Sequence, residues 1–320
     1  MVTRLRKLVV AYAMPPGFVD RLRAEFPEVE VLVCPDRAGL AAVLPGAQAL
    51  VGGRLAPDLL ACAPELRWLH LVGTGVDAVL FPELVASDIV VTNLSGVDAY
   101  NIPEHVLGIM LLFARDFLRL VRGQVGHRWM HGEAHVFELG GQTLGIVGLG
   151  AIGQGLAWRA QGLGMRVLGL RRRAGEAPPG VDAVYGPGDL HHVLAASDHV
   201  VICLPLTPQT RGLFGAAEFA AMKPTAYLYN IGRGPIIDQD ALIAALRAKQ
   251  IAGAGLDVVT PEPLPDDSPL WDLPNVFISG HNAVYSPYYA ERGFEVLRTN
   301  LGRFQRGEPL VNVVDKREGY

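Results

Sequence analysis

The residues "TLGIVGLGAIGQGLA" (143–157) limit what this chain can fold into more than any other stretch. An apolar run, Leu144 to Val147, passes into Gly148-x-Gly150-x-x-Gly153 and then into a helix-like segment, Ile152 to Gln161. Such glycine spacing is common near turns, and its place between a strand and a helix is what gives it meaning. Gly148 permits the tight turn, Gly150 lets backbone approach a pyrophosphate, and Gly153 lets the helix pack on the strand. The first backbone N–H groups of the helix, at Ala151 and Ile152, and its positive dipole end then face the phosphates.

The rest of the chain agrees with a strand–helix alternation. "LVVAYA" reads as a strand, "PPGFVDRLRAEF" as a helix with proline near its first turn, and short runs such as "VEVLVC", "LHLVGTG" and "DIVVTN" follow. Strands of four to six residues alternating with helices indicate parallel sheets with helical crossovers. One long apolar helix is expected from Ile102 to about Val121, buried between layers because its apolar positions recur all round. After the glycine loop, strands are expected at "RVLGL", "HVVICLPL", "AYLYNIG", "GAGLDVV" and "NVFISG", and a last helix from Pro287 to Arg306. Two α/β units joined near residue 100 is the economical picture.

Composition excludes several classes. A net charge of −4 offers no bulk attraction to nucleic acid or to an anionic membrane. The apolar stretch "VLGIMLLF" is too short to span a bilayer, and the run Leu8 to Met14 reads as a first strand rather than a signal peptide. Cys34, Cys62 and Cys203 lie in apolar runs without metal-ligand spacing, which suits a reducing cytoplasm. His127, His131 and His135 are spaced by four, but Gly126 and Gly132 argue against the helix that would align them on a metal.

The strand after the glycine loop ends in Arg171, Arg172 and Arg173, and no Asp or Glu stands between Gly153 and Glu176. A carboxylate there would bond the ribose 2′-OH of NAD, whereas a guanidinium would pair with the 2′-phosphate of NADP. NADP preference, carried by Arg171 and Arg172 with NAD as the lesser partner, is one reading; a solvated strand end is the other.

Three polar residues sit at later strand ends: Arg233 in "NIGRGPIID", Glu262 in "TPEPLP" and His281 in "ISGHNAV". In an open parallel sheet, ligands gather outside the carboxyl ends of the strands. Hydride transfer to a 2-oxo acid needs a cation to hold the carboxylate, for which a forked guanidinium is suited. It needs an acid to protonate the carbonyl oxygen, and histidine fills that role near neutral pH. A carboxylate beside the histidine favours its protonated form and orients the ring.

Taken with "LVGTGVD" (71–77), "VTNLSG" (91–96), "IPEHVLG" (102–108), "TLGIVGLGAIG" (143–153), "LPLTPQT" (204–210), "NIGRGPIID" (230–238), "GAGLDVVTPEPLP" (253–265) and "LVNVVD" (310–315), the chain resembles the D-isomer-specific 2-hydroxyacid dehydrogenases over almost its whole length. The resemblance implies a flavodoxin-like substrate-binding domain, 1–100 with 284–320, into which a Rossmann-type nucleotide domain, 101–283, is inserted. It implies Arg233 as substrate-orienting residue, Glu262 as partner and His281 as acid/base. Pro205, Thr210 and Asp257 would join the cofactor site, Asp257 near the nicotinamide carboxamide. Backbone N–H groups of Thr74 and Gly75 would meet the substrate carboxylate. It further implies turnover gated by domain closure, and a homodimer using the helix from Ile102.

The chain departs from the family pattern at Gly280, where proline usually precedes the histidine, at Asn282 just after it, and in the cluster Tyr285, Tyr288 and Tyr289. The tyrosines fit either a pocket for a bulky 2-oxo acid or the packing of a helix start. The same scaffold also resembles non-enzymatic, dinucleotide-sensing corepressors, so a binding protein stands as the alternative to a glyoxylate/hydroxypyruvate-type reductase.

Overall fold

In the computed structural model, which describes residues 4–52, 55–173 and 175–320, the apolar runs become two all-parallel sheets. The chain divides into two compact units, Met1–Val97 with Ser286–Tyr320, and Asp98–Tyr285. The first contains β1 (Lys7–Val10), β2 (Glu30–Val33), β3 (Ala49–Val51), β4 (Trp68–His70) and β5 (Val90–Thr92), in the order β2-β1-β3-β4-β5. That is a flavodoxin-like order. Leu8, Val10, Trp68 and Val51 project from one face of this sheet onto the helix Tyr289–Arg306, where Phe294, Leu297 and Leu301 are buried. The amide of Gln305 clasps the Leu5 backbone in both directions, at 3.0 Å each, so the chain's last helix is tied to its first residues.

The second unit holds β6 (Thr143–Val147), β7 (Arg166–Leu170), β8 (Ala183–Tyr185), β9 (His199–Ile202), β10 (Tyr227–Asn230), β11 (Gly253–Leu256) and β12 (Val276–Ile278). They lie in the order β12-β11-β10-β9-β6-β7-β8, so the chain runs outward from β6 to one side and returns through β9 to the other. The central strands are buried on both faces, with the apolar residues of β6, β7, β9 and β10 divided between two core clusters. Because all are parallel, every loop leaving a strand's carboxyl end emerges at one edge.

Two expectations are corrected. The single helix from Ile102 to Val121 is two helices, Asn101–Ala114 and Phe117–Val125. Asp116 between them takes a left-handed conformation (φ 53°), its carboxylate accepting from the His135 amide at 3.0 Å and pairing with Arg119 at 3.1 Å. The first helix is buried through Ile102, Val106, Ile109, Met110 and Phe113, whereas the second buries none of its residues. A further strand, β8, escaped the sequence reading because it is a three-residue, half-buried edge. Among the described residues no helix is long and apolar enough to cross a membrane.

Candidate active site

The glycine loop stands at the carboxyl end of β6, next to the point where the strand order reverses. Gly148 has φ 112°, and a Cβ there would press on the Cys203 carbonyl oxygen at 2.7 Å. A Cβ at Gly153 would overlap the Gly148 carbonyl oxygen. Gly150 is different: a Cβ there would meet nothing within 4 Å, so the space above it is open. Gly150 caps the helix Ala151–Gly162, whose first N–H groups have no carbonyl partner within the helix. A tight turn, a close helix–strand contact and an open space over unpaired donors together fit a dinucleotide pyrophosphate.

Arg171 follows β7 at the same edge. Its Nη2 donates to the Glu176 carbonyl at 2.9 Å, while its Nε is buried without a hydrogen-bond partner. Arg172 is exposed. Pro205 and Thr210 bracket the loop after β9, where the Thr210 hydroxyl donates to the Pro205 carbonyl at 2.7 Å and accepts from the Thr207 amide at 2.8 Å. That turn is thereby held in shape beside the glycine loop, on the neighbouring strand.

The loops after β10, β11 and β12 carry the remaining polar residues. His281 Nδ1 lies 2.9 Å from Glu262 Oε2, with both side chains partly exposed (46% and 38%). The other Glu262 oxygen accepts from the Val259 amide at 3.2 Å, which fixes the carboxylate from behind. Arg233 is half-buried at the end of β10, with Nη1 donating to the Gly232 carbonyl at 2.8 Å. Asp257 is buried, and its Oδ1 accepts from Ser279 Oγ (2.6 Å), Asn282 N (2.8 Å) and Ala283 N (3.1 Å). The His281 amide donates to the Asp257 carbonyl at 2.6 Å. Asp257 therefore holds the loop that carries His281.

Sequence reasoning passed over two members of this cluster. Ser279 Oγ also meets His105 Nε2 at 2.9 Å, and His105 comes from the helix Asn101–Ala114. Burial pushes the His105 pKa down, against the opposing charge of Asp257. The only hint in the chain was the histidine of "IPEHVLG", and nothing in its spacing tied it to residue 279.

Thr74 and Gly75 belong to the first unit, in the loop after β4, where the Thr74 carbonyl accepts from Asn93 Nδ2 at 2.8 Å. In that unit Tyr289 donates to the Val72 carbonyl at 3.2 Å, and Tyr288 lies exposed beneath the Arg292 guanidinium. Tyr285, at the end of the second unit, is exposed. Tyr288 is the N-cap residue of the helix Tyr289–Arg306, so its ring lies at that helix's start.

A parallel sheet in this order, with a pyrophosphate-shaped loop at its reversal point and a histidine–carboxylate pair on the same edge, is the arrangement of a nicotinamide-dependent dehydrogenase. The family model for the D-isomer specific 2-hydroxyacid dehydrogenase, NAD binding domain, matches residues 107–283. The glyoxylate reductase of Korarchaeum cryptofilum (strain OPF8) is 36% identical over 266 residues, which is 81% of this chain and 79% of that protein. The structure of a D-isomer specific 2-hydroxyacid dehydrogenase from Xanthobacter autotrophicus Py2, in complex with NADPH and MES, matches with TM-score 0.85 and 33% identity over 99% of this chain and 100% of the other. The NADPH-dependent glyoxylate/hydroxypyruvate reductase of Sinorhizobium meliloti, in complex with NADP and sulfate, matches with TM-score 0.83 and 32% identity over 98% and 100%. The chain belongs to the D-isomer specific 2-hydroxyacid dehydrogenase family and is an NAD(P)-dependent oxidoreductase.

Proposed function

We propose that this enzyme reduces small 2-oxo acids of the glyoxylate and hydroxypyruvate kind, preferring NADPH to NADH, and runs in reverse on the D-2-hydroxy acid. The observation that carries the reading is the His281–Glu262 pair at 2.9 Å, on the sheet edge that also bears the glycine loop. When bound, the nicotinamide supplies the hydride. With Nδ1–H given to Glu262, a protonated His281 has one N–H left, at Nε2, to give to the substrate's carbonyl oxygen. After that transfer the neutral ring keeps Nδ1–H on Glu262, the tautomer needed for the reverse reaction. Arg233 holds the substrate carboxylate with its forked donors.

NADP preference is supported by Arg171 and Arg172 standing where an acid would repel a 2′-phosphate, and by the unpaired Nε donor of Arg171. Two structural relatives carry NADPH or NADP. The test is a panel of glyoxylate, hydroxypyruvate and phenylpyruvate with both cofactors. We expect kcat/KM with NADPH to exceed that with NADH by roughly tenfold or more, and Arg171→Ala/Arg172→Ala to remove that advantage without lowering the NADH value. Equal efficiencies would overturn the cofactor preference; no turnover with any of the three acids would overturn the substrate class.

The same reading places the enzyme in the cytoplasm as a homodimer. Its contact would lie around the helix Asn101–Ala114, where Leu111, Trp158 and Leu163 leave apolar surface exposed. Light scattering at micromolar concentration checks the dimer.

A further inference from the structure

Residues 280 and 281 are both left-handed, Gly280 at φ 63° and His281 at φ 60°. A proline cannot stand at position 280 in this conformation, because its ring holds φ near −65°. Glycine reaches the left-handed region freely, but it supplies no stiffness, and an L-residue such as His281 enters that region only against a steric cost. Something else must keep the pair in place.

Besides the bonds to Asp257, the side chain of Asn282 is bonded across this turn. Its Nδ2 donates to the Ser279 carbonyl at 2.5 Å and to the Gly280 carbonyl at 3.0 Å, so one amide group spans the carbonyls on either side of the Ser279–Gly280 junction. Its own backbone N–H is anchored on Asp257 Oδ1 at 2.8 Å. Asn282 is exposed and makes no part of a core, so these bonds rather than packing are what it contributes. The left-handed turn they close is the one that delivers His281 Nδ1 to Glu262.

We propose that Asn282 is a positioning residue for His281, an amide strap that does in this chain what a proline would otherwise do for the backbone before the histidine. The inference rests on the acid/base reading of His281. In this role Asn282 acts through the histidine, by its bonds to the Ser279 and Gly280 carbonyls.

The test compares Asn282→Ala with Asn282→Asp, which keeps the shape but turns an acceptor toward the two carbonyls. Both should lower kcat roughly ten- to hundredfold with little change in KM for NADPH, since small displacements of a catalytic group cost that much. Combined with Glu262→Gln, the loss should be much smaller than the product of the two single losses, because both act on the same ring. Long-range ¹H–¹⁵N spectra of the histidine rings give a readout that needs no turnover: the His281 Nδ1–H resonance should be resolved in the wild type and averaged in both variants. An active wild type with unchanged kcat and an unchanged His281 signal in Asn282→Ala would overturn the strap. A harmless Asn282→Asp would do the same, because only shape would then matter. If the wild type reduces no 2-oxo acid, the functional reading fails, while the ring spectra still decide whether Asn282 holds His281.

Discussion

His281 sits in a backbone conformation that costs an L-residue roughly 1–2 kcal/mol, and the surrounding bonds offset that cost. Its amide is held by the Asp257 carbonyl, and the next two amides by the Asp257 carboxylate. Strain maintained by buried partners is typical where a side chain must be aimed rather than merely accommodated. The aimed group is the ring, and its removal is the direct test of the chemistry. His281→Ala should cut kcat by roughly 10²–10⁴-fold, the range set by losing a general acid, while the Kd for NADPH measured by fluorescence stays within about twofold. A turnover number unchanged by this substitution would remove His281 from the mechanism. Glu262→Gln should be milder, since Gln keeps an acceptor for Nδ1–H and loses only the charge.

At the scale of elements, the strand–loop–helix at 143–157 makes a sharper claim, because Gly148, Gly150 and Gly153 are glycine for three different reasons. Gly153→Ala forces a Cβ into the Gly148 carbonyl and to 3.1 Å from the Ile146 side chain, so helix and strand must part. We expect a loss of about 1–3 kcal/mol, read as a Tm lowered by several degrees, together with weaker NADPH binding. Gly150→Ala leaves the fold intact, as its φ of −74° suits any residue and no neighbour lies within 4 Å. It should therefore keep its Tm and lose cofactor affinity alone; a parallel loss of both in the two variants would contradict the assignment. This junction was legible in the sequence because every local requirement pointed the same way. The break at Asp116 was not, since the apolar pattern runs straight through it and the left-handed turn depends on His135, distant in the chain. β8 was missed because three half-buried residues carry almost no periodic signal. Of the site, the strand-end positions of Arg233, Glu262 and His281 could be read from their motifs. The meeting of His105, Asp257 and Ser279 could not, since no sequence spacing encodes a contact between three separate elements.

Over the whole molecule, each unit buries a histidine that must stay neutral, and this sets a common pH dependence. In the first unit His70 Nδ1 shares the Thr92 hydroxyl with the Trp68 indole, and burial pushes its pKa down from 6.5 to about 4. In the second, His199 Nε2 gives its proton to Gln142 Oε1 at 2.6 Å and Nδ1 accepts from the Tyr229 hydroxyl at 2.9 Å. Both ring nitrogens are then satisfied in the neutral form alone, and burial lowers this pKa also to about 4 despite the nearby Asp198 charge. The sign follows from proton counting. Between pH 6.5 and 4 the unfolded chain binds protons on these rings and the folded chain does not, so stability is complete above pH 6.5 and declines as pH falls toward 4. By pH 5 each ring should have withdrawn about 2 kcal/mol from its own unit. Urea unfolding at pH 7.5 and pH 5.0 checks this, with His70→Gln and His199→Gln each expected to start less stable but to lose less on acidification. Identical midpoints for the wild type at the two pH values would show that the rings accept protons inside the fold, against the neutral hydrogen-bond pattern described for them.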